Sequence, residues 1–134
     1  MELYIGGFAQ GKLEYVLKNR QERKKTAETV IDCSQPGYRE KIKETQSCDV
    51  IINHLHLWVK DLLAEGKQAR QEILAYAQAK PDAVFICDEI GNGIVPLEKE
   101  DRIWREETGR LLVSLASKAE RVERILCGLG QRLK

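Results

Sequence analysis

Short runs of β-branched and other apolar residues alternate along this chain with longer amphipathic stretches. Strands and helices in regular alternation are typical of a parallel sheet covered by helices. The apolar runs predict five strands, at residues 3–5, 29–32, 49–52, 83–87 and about 122–127. We therefore expect an α/β fold with three layers and a mostly parallel sheet.

Apolar residues at helical spacing predict helices between those strands. The clearest repeat follows the third strand and comprises Leu55, Trp58, Val59, Leu62 and Leu63. Further helices are expected at residues 12–24, 69–77 and 104–119. The connection 33–48 contains one short basic segment. This connection is barely long enough for a crossover between parallel strands. No internal repeat or linker interrupts this order, so we expect residues 1–134 to form a single domain.

The charge balance excludes some classes of partner. The 134 residues carry 22 Lys and Arg against 21 Asp and Glu, which gives a formal net charge of +1 and no global field to attract nucleic acid. We expect no membrane span and no signal peptide, because no apolar run is long enough. The four cysteines are widely spaced and form no C-x-x-C pair. We therefore expect them to be reduced and mostly buried thiols in a cytoplasmic protein. They are Cys33, Cys48, Cys87 and Cys127.

A glycine-bearing turn follows the first strand, with the pattern G-x-x-x-x-G-K of phosphate-binding loops. Glycines let backbone N–H groups face phosphate oxygens, the following helix offers its positive end, and the Lys12 ammonium adds a charge. The predicted nucleotide-binding residues are Gly6, Gly7, Phe8, Ala9, Gln10, Gly11, Lys12 and Leu13. Leu13 stands where the pattern has a Ser or Thr that binds Mg²⁺. The alternative is an ordinary turn with a surface lysine.

Asn53, His54 and His56 follow the third strand, at the edge where ligands bind in sheets of this kind. The two histidines are two residues apart and would point to different sides of a helix, so we do not expect them to share a metal ion. We predict that the three side chains contact phosphate or a polar substrate. The alternative is a histidine at a helix start whose polar atoms are satisfied by backbone or water.

Asp88 and Glu89 follow the fourth strand and lead into a loop with two glycines. Carboxylates at the mouth of a sheet can be desolvated and aimed, while glycines admit a ligand close to the backbone. We predict that Asp88 binds a metal ion and that Glu89 acts as a base or contacts substrate, so that Lys12, Asp88 and Glu89 are the catalytic candidates. An acid pair that caps a helix or a turn is the alternative.

These strand ends resemble the adenosylcobinamide kinase/adenosylcobinamide-phosphate guanylyltransferase family of cobalamin biosynthesis. Gly6-Gly7 and Gly11-Lys12 are in register with that family's G-G-x-R-S-G-K-S loop. Residues 53–63 follow its D-C-L-T-L-W-x-x-N-L-L pattern, and residues 88–96 follow its N-E-V-G-x-G-I-V-P pattern. The similarity continues from there to the end of the chain.

The resemblance implies a P-loop (RecA-like) fold. It implies an enzyme that phosphorylates the aminopropanol hydroxyl of cobinamide and then transfers GMP from GTP to that phosphate through a guanylated histidine. GTP or ATP with Mg²⁺ would be its cofactors, nucleotide and cobinamide its partners, and a ring-shaped homo-oligomer its assembly. Arg102 and Arg105 would lie near the nucleotide or the corrinoid.

The sequence also departs from the family pattern. Ala9 replaces a loop arginine, Asn53 replaces an acid, and Leu112-Val113 replace an Asn-Gln pair. The segment 33–48, which corresponds to the part of the family that carries the guanylated histidine, contains no histidine. These departures favour the kinase activity over guanylyl transfer. They leave one alternative open, a catalytically degenerate nucleotide-binding paralogue that acts as a regulator or partner subunit.

Asn53 and Asp88 show the family's acid and amide exchanged between the third and fourth strands. If these two strands flank the first strand, Asp88 would face the same metal ion from the other side. The sequence therefore predicts that Asp88 lies close to the Lys12 ammonium.

Overall fold

The computed structural model describes residues 1–23 and 29–134, and within these ranges the chain forms six strands and five helices. In chain order they are β1 (Glu2–Gly6), α1 (Lys12–Glu22), β2 (Thr29–Asp32), α2 (Tyr38–Glu44), β3 (Val50–Asn53), α3 (Leu55–Ala64), α4 (Ala69–Ala79), β4 (Val84–Asp88), α5 (Lys99–Lys118), β5 (Arg121–Leu126) and β6 (Leu129–Arg132). Across the described ranges, none of the helices has the length and apolar character needed to cross a bilayer.

The strands form one sheet in the order β2-β3-β4-β1-β5-β6. Strands β1 to β5 are parallel, and β6 pairs antiparallel with β5. The expected α/β fold with a mostly parallel sheet is confirmed. Because β1 lies between β4 and β5, the turn after β1 occupies the middle of the sheet's carboxyl edge, where ligands bind in open α/β sheets.

Helices cover both faces of this sheet and complete the three layers. On one face α1 places Val16 against Tyr4 and Ile86. On the other face α2 to α5 pack around a larger core that includes Leu3 and Phe85. Neighbouring residues of a strand point to opposite faces, so β1 and β4 are buried on both sides, as expected for central parallel strands.

The five predicted strands are confirmed, each to within one residue at both ends. The predicted helices are confirmed as α1, α3, α4 and α5, and the short basic segment in the connection 33–48 forms α2. Helix α1 ends at Glu22, while Lys24, the expected last residue, lies outside the described residues. The apolar periodicity was sufficient here because each of these elements buries one face or both.

Two details of the prediction are wrong. The sequence did not predict β6, because all four residues of this edge strand are exposed and leave no buried pattern to recognise. The cysteines are all free, but only Cys33 and Cys87 are buried, whereas Cys48 and Cys127 are exposed in loops. Burial raises the pKa of the Cys87 thiol to about 12, so this side chain behaves as an uncharged core group.

Gly6 lies at a close approach between β1 and β5. A Cβ atom at this position would be 2.4 Å from the backbone carbonyl oxygen of Ile125. At Gly7 the nearest atom to a Cβ would be the flexible Cγ of Gln10, at 3.5 Å. The first glycine of the turn is therefore required by strand packing, whereas the second is not.

We expect Gly6→Ala to lower the free energy of unfolding by about 1–3 kcal/mol, the usual cost of overpacking, because β1 and β5 must separate. Gly7→Ala is the matched control and should change it by less than about 0.5 kcal/mol. Urea denaturation of the two variants measures the difference. Equal stability of the two variants would contradict the packing argument.

Candidate functional site

The turn between β1 and α1 presents an open helix N-terminus to the middle of the sheet's carboxyl edge. Gly11 precedes the helix in the left-handed region, with a φ of 73°, and as a glycine it has no side chain to cap the first turn of α1. The first N–H groups of a helix have no partner within the helix and carry a partial positive charge. A helix start of this kind, preceded by a glycine turn, suits phosphate oxygens.

The β5–β6 turn supports the phosphate-loop turn from one side. The Gly128 N–H donates to the Gln10 carbonyl oxygen at 3.0 Å, and the Cys127 N–H donates to the Gln10 Oε1 at 2.7 Å. Phe8 is 82% exposed at the tip of the turn. The turn is thus held at its C-terminal half and open at its tip.

Lys12 is the first residue of α1 and is buried, with 7% of its surface exposed. Its Nζ donates to the Gly7 carbonyl oxygen at 2.7 Å and lies 2.6 Å from the Asp88 Oδ1. The second contact is a charge contact without hydrogen-bond alignment, since Asp88 Oδ1 has no hydrogen-bond partner among the described residues. The predicted proximity of Asp88 to Lys12 is therefore found, and the alternative of a surface lysine is not.

His56 lies on the other side of Asp88. The Asp88 N–H donates to His56 Nδ1 at 3.4 Å, so that the ring proton belongs on Nε2, which lies 3.8 Å from Asp88 Oδ2. Burial lowers the pKa of His56, and the positive charge of Lys12 adds to the effect, although the Asp88 carboxylate opposes it. We conclude that His56 is neutral at pH 7 and that Lys12 supplies the positive charge next to Asp88.

Glu89 faces the opposite side of the turn. Its N–H donates to the Gly6 carbonyl oxygen at 2.9 Å, which continues the β1–β4 pairing, and its Oε2 accepts from Arg124 Nη2 of β5 at 3.1 Å. The Glu89 carboxylate therefore forms an ion pair with Arg124 at the carboxyl edge of the sheet. Its role as a base or substrate contact stays a prediction.

Arg102 and Arg105 of α5 donate to carbonyl oxygens of the loop that follows β4. Arg102 Nη1 donates to the Pro96 oxygen at 3.0 Å, and Arg105 Nη1 donates to the Ile94 oxygen at 3.1 Å. Both guanidinium groups thus tie this loop to α5. Contact of these arginines with nucleotide or corrinoid also stays a prediction.

A third group of side chains joins the ends of β2 and β3. Asp32 Oδ1 lies 2.8 Å from His54 Nδ1 and also accepts from the Ser34 N–H and Oγ, while Asp32 Oδ2 accepts from Asn53 Nδ2 at 3.0 Å. Burial by itself raises the pKa of Asp32, but the hydrogen bonds from Ser34, His54 and Asn53 outweigh it and lower the pKa to about 2. The Asp32 carboxylate is therefore ionised at neutral pH.

Asp32 was not among the residues singled out from the sequence. It is the last residue of β2 and pairs in register with Asn53, the last residue of β3. The rule that placed candidate residues at the ends of the third and fourth strands applies equally to the second strand. Asp32 could therefore have been predicted as a site residue from the sequence.

The two histidines lie closer together than the sequence indicated. His54 has a φ of 56° and precedes α3, so helical spacing does not apply to it. Its ring centroid is 5.8 Å from that of His56, in an edge-on arrangement. The expectation that they point to different sides is therefore wrong, because one of the two is not helical.

The third and fourth strands do not flank β1. Its neighbours are β4 and β5, and β3 lies beyond β4. The acidic side chain thus comes from the strand next to the phosphate-loop turn, whereas Asn53 is one strand further away. Asp88 and Gly6 are register partners, and this pairing brings Asp88 to Lys12.

The residues of the mouth do not make a complete Mg²⁺ site. Leu13 supplies an apolar side chain, packed against the buried cluster that includes Tyr4 and Val16, where a hydroxyl would be needed. In the part of the chain that the structure describes, no group of three or more His, Cys, Asp or Glu side chains is placed to hold a metal ion. Asp88 alone, already in contact with Lys12, does not fit a resident ion that prefers six oxygen ligands.

Lys12→Met is expected to lower the free energy of unfolding by about 3–5 kcal/mol, because it leaves the buried Asp88 carboxylate without its counter-charge. Asp88→Asn leaves the ammonium without its partner in the same way. The double variant should be destabilised by clearly less than the sum of the two single variants. A double-mutant cycle by urea denaturation tests this, and additive effects would show that the ion pair is not formed.

Asp32→Asn is expected to change the pH dependence of stability in acid. The native pKa of Asp32 is lowered from 3.8 to about 2, so this residue stabilises the fold above pH 3.8 and loses that contribution as the pH falls through about 2. The variant should show a smaller loss of unfolding free energy over this interval. Ser34→Ala, which removes one of the donors, should give an intermediate profile. Identical slopes for all three proteins would contradict the assignment.

Comparison with known proteins agrees with this geometry. No curated protein matches the chain. A family model described as "Cobinamide kinase / cobinamide phosphate guanyltransferase" matches residues 10–133 of the 134. The family has a P-loop fold, uses nucleoside triphosphates and acts in cobalamin biosynthesis, in agreement with the phosphate-loop turn at the middle of the sheet. On this match, which extends over nearly the whole length, the chain belongs to the cobinamide kinase/cobinamide phosphate guanylyltransferase family.

Proposed function

We propose that this protein is a cobinamide kinase that transfers the terminal phosphoryl group of GTP or ATP to a hydroxyl group of cobinamide. The observation that carries the proposal is the buried Lys12 ammonium, which lies at the start of α1 and next to Asp88. A lysine held in this position supplies positive charge where the β- and γ-phosphates of a nucleotide would lie.

Nucleotide binding is supported by three features of the same turn. The start of α1 is uncapped, the turn is braced by its contacts with Gly128, and the lysine points into the mouth of the sheet. The ammonium contacts the Gly7 carbonyl oxygen and Asp88. We infer that triphosphate oxygens take over part of this coordination, since they offer more negative charge than the carbonyl oxygen.

Asp88 positions Lys12 in this proposal. Its carboxylate lies between the ammonium and the His56 ring, which fixes the charge distribution at the mouth. A fixed charge arrangement stabilises the developing charge of a phosphoryl transfer without reorganisation during the reaction. No step of the proposal depends on a metal site formed by the protein, and the nucleotide is taken with its own counter-ion as the substrate.

The kinase activity is better supported than guanylyl transfer. The segment 33–48 contains α2 and no histidine, and the two histidines of the chain both follow β3. A guanylated histidine at the family position is therefore absent from this sequence. The family match gives no support to the alternative of a catalytically degenerate paralogue.

Wild-type protein should phosphorylate cobinamide when it is given GTP or ATP as the magnesium salt. Lys12→Met should lower the rate by at least about 100-fold, the usual cost of removing a group that stabilises transition-state charge. Lys18→Met, which changes an exposed lysine on the same helix, is the matched control and should retain the wild-type rate. Transfer of labelled γ-phosphate to cobinamide measures both.

Calorimetric titration with each nucleotide separates binding from turnover. The proposal expects wild-type protein to bind at least one nucleotide and Lys12→Met to bind it more weakly. Nucleotide binding without any phosphorylation of cobinamide would contradict the kinase proposal. Equal turnover by Lys12→Met and wild-type protein would contradict the role of Lys12.

A further inference from the structure

We infer that His54, oriented by Asp32, accepts the proton of the attacking hydroxyl group in the transfer reaction. The inference rests on the proposed kinase function and adds a catalytic residue to it. Neither the phosphate-loop turn nor the Lys12–Asp88 pair uses these two side chains. They form a separate pair at the ends of β2 and β3, on the same carboxyl edge of the sheet.

The hydrogen bond between the two side chains determines which ring nitrogen is free. Asp32 Oδ1 lies 2.8 Å from His54 Nδ1, and an ionised carboxylate can only accept, so Nδ1 carries the proton. In the neutral ring Nε2 then has an unprotonated lone pair. A carboxylate that fixes a histidine tautomer in this way is the arrangement that general-base histidines require.

The carboxylate itself is held firmly. Ser34 donates to Asp32 Oδ1 through both its N–H and its Oγ, at 2.8 and 2.6 Å, and Asn53 Nδ2 donates to Oδ2 at 3.0 Å. Asn53 Nδ2 also lies 3.1 Å from His54 Nδ1, and because both nitrogens carry a proton when Nδ1 donates to Asp32, this contact is not a hydrogen bond in that tautomer. With these donors in place, the orientation of the His54 ring follows from that of Asp32.

The backbone of His54 supports a functional reason for this placement. Its φ of 56° lies in the left-handed region, which residues other than glycine seldom adopt. Such strain is maintained when the surroundings over-determine it and is concentrated at functional sites. In this conformation the His54 side chain contacts Asp32, and 30% of the side chain is exposed.

The His54–Asp32 pair lies at a distance from Lys12 that suits the attacking hydroxyl group, with the transferred phosphoryl group between this hydroxyl and Lys12. Strand β4 separates β1 from β3, so their ends are two strand spacings, or about 10 Å, apart. A phosphoryl group next to Lys12 and a hydroxyl oxygen in line behind it span a distance of this order. The groups that face His54 are Asp32 from β2, Asn53 from β3 and His56 from α3, with Asp88 of β4 beyond His56.

The step conserves atoms and charge. The hydroxyl oxygen forms a bond to the terminal phosphorus, and its O–H bond breaks as the proton moves to His54 Nε2. The bond from that phosphorus to the bridging oxygen breaks, and the electron pair leaves with the nucleoside diphosphate. His54 becomes an imidazolium stabilised by Asp32 and later returns the proton to water.

His56 provides an internal comparison for the reactivity of His54. The chain has two histidines, and only 8% of the His56 side chain is exposed, against 30% for His54. Diethyl pyrocarbonate acylates unprotonated, accessible imidazole nitrogens, so wild-type protein at neutral pH should react rapidly at one histidine per chain. That reaction should disappear in His54→Asn, an exchange that tolerates a left-handed backbone. Rapid reaction in His54→Asn, or none in wild-type protein, would overturn the inference without any assay of the kinase.

A two-bond ¹H–¹⁵N spectrum of histidine-labelled wild-type protein reads the tautomer directly and needs no variant. The inference expects the unprotonated nitrogen of His54 to be Nε2. An unprotonated Nδ1 would overturn it.

The kinetic test uses the same variants with cobinamide and nucleotide. His54→Asn should lower kcat by about 100-fold, within the range of general-base contributions, and leave the affinity for nucleotide unchanged. Asp32→Asn should also lower kcat and raise the fraction of His54 protonated on Nε2 in the two-bond spectrum, since an amide no longer fixes the tautomer, and Asp32→Glu should restore part of the rate.

The outcomes separate the two proposals. An active wild-type enzyme whose rate survives His54→Asn would overturn the role of His54 and leave the kinase proposal intact. A wild-type protein that shows the expected tautomer and reactivity but no phosphorylation of cobinamide would contradict the kinase proposal and, with it, the hydroxyl as the proton donor.

Discussion

The buried contact between Lys12 and Asp88 is the interaction on which the arrangement of the mouth depends. It joins the first residue of α1 to the last residue of β4 at the carboxyl edge of the sheet. A buried ammonium and a buried carboxylate are each costly to desolvate, so each requires the other. The pair therefore fixes the lysine at the middle of the carboxyl edge.

The order of the strands decides which side chains can take part. With β4 next to β1, Asp88 reaches the lysine directly, while the residues after β3 face the mouth from one strand further away. That second position holds Asn53 and His54, and β2 adds Asp32 beside them. The carboxyl edge therefore contains a charged region around Lys12 and a polar region around His54, connected through His56.

Much of the fold could be predicted from the sequence because periodic burial marks most of its elements. The central strand β4 is apolar up to its last residue, Asp88, and α3 has a clear apolar face. The exposed edge strand β6 has no such mark and was missed. The left-handed backbone of His54 was missed because the spacing argument assumed a helix that already includes His54, whereas α3 begins one residue later, at Leu55.

The candidate site was predictable in part. The glycine turn, Lys12 and Asp88 follow from the rule that ligands bind at the ends of strands, and the contact of 2.6 Å between the two side chains agrees with the predicted proximity. The strand order could not be predicted from the sequence, because no local sequence feature indicates which strand lies beside β1. Asp32 could have been predicted by applying the same rule to the second strand. Its contact with His54 depends on the register between β2 and β3, which only the structure provides.

The most direct test of the central claim is a crystal structure with a non-hydrolysable nucleoside triphosphate. The account predicts that the β- and γ-phosphates lie against the first N–H groups of α1, with Lys12 Nζ within hydrogen-bond distance of a phosphate oxygen. A nucleotide bound elsewhere on the protein, with the contacts of Lys12 to Gly7 and Asp88 unchanged, would contradict it.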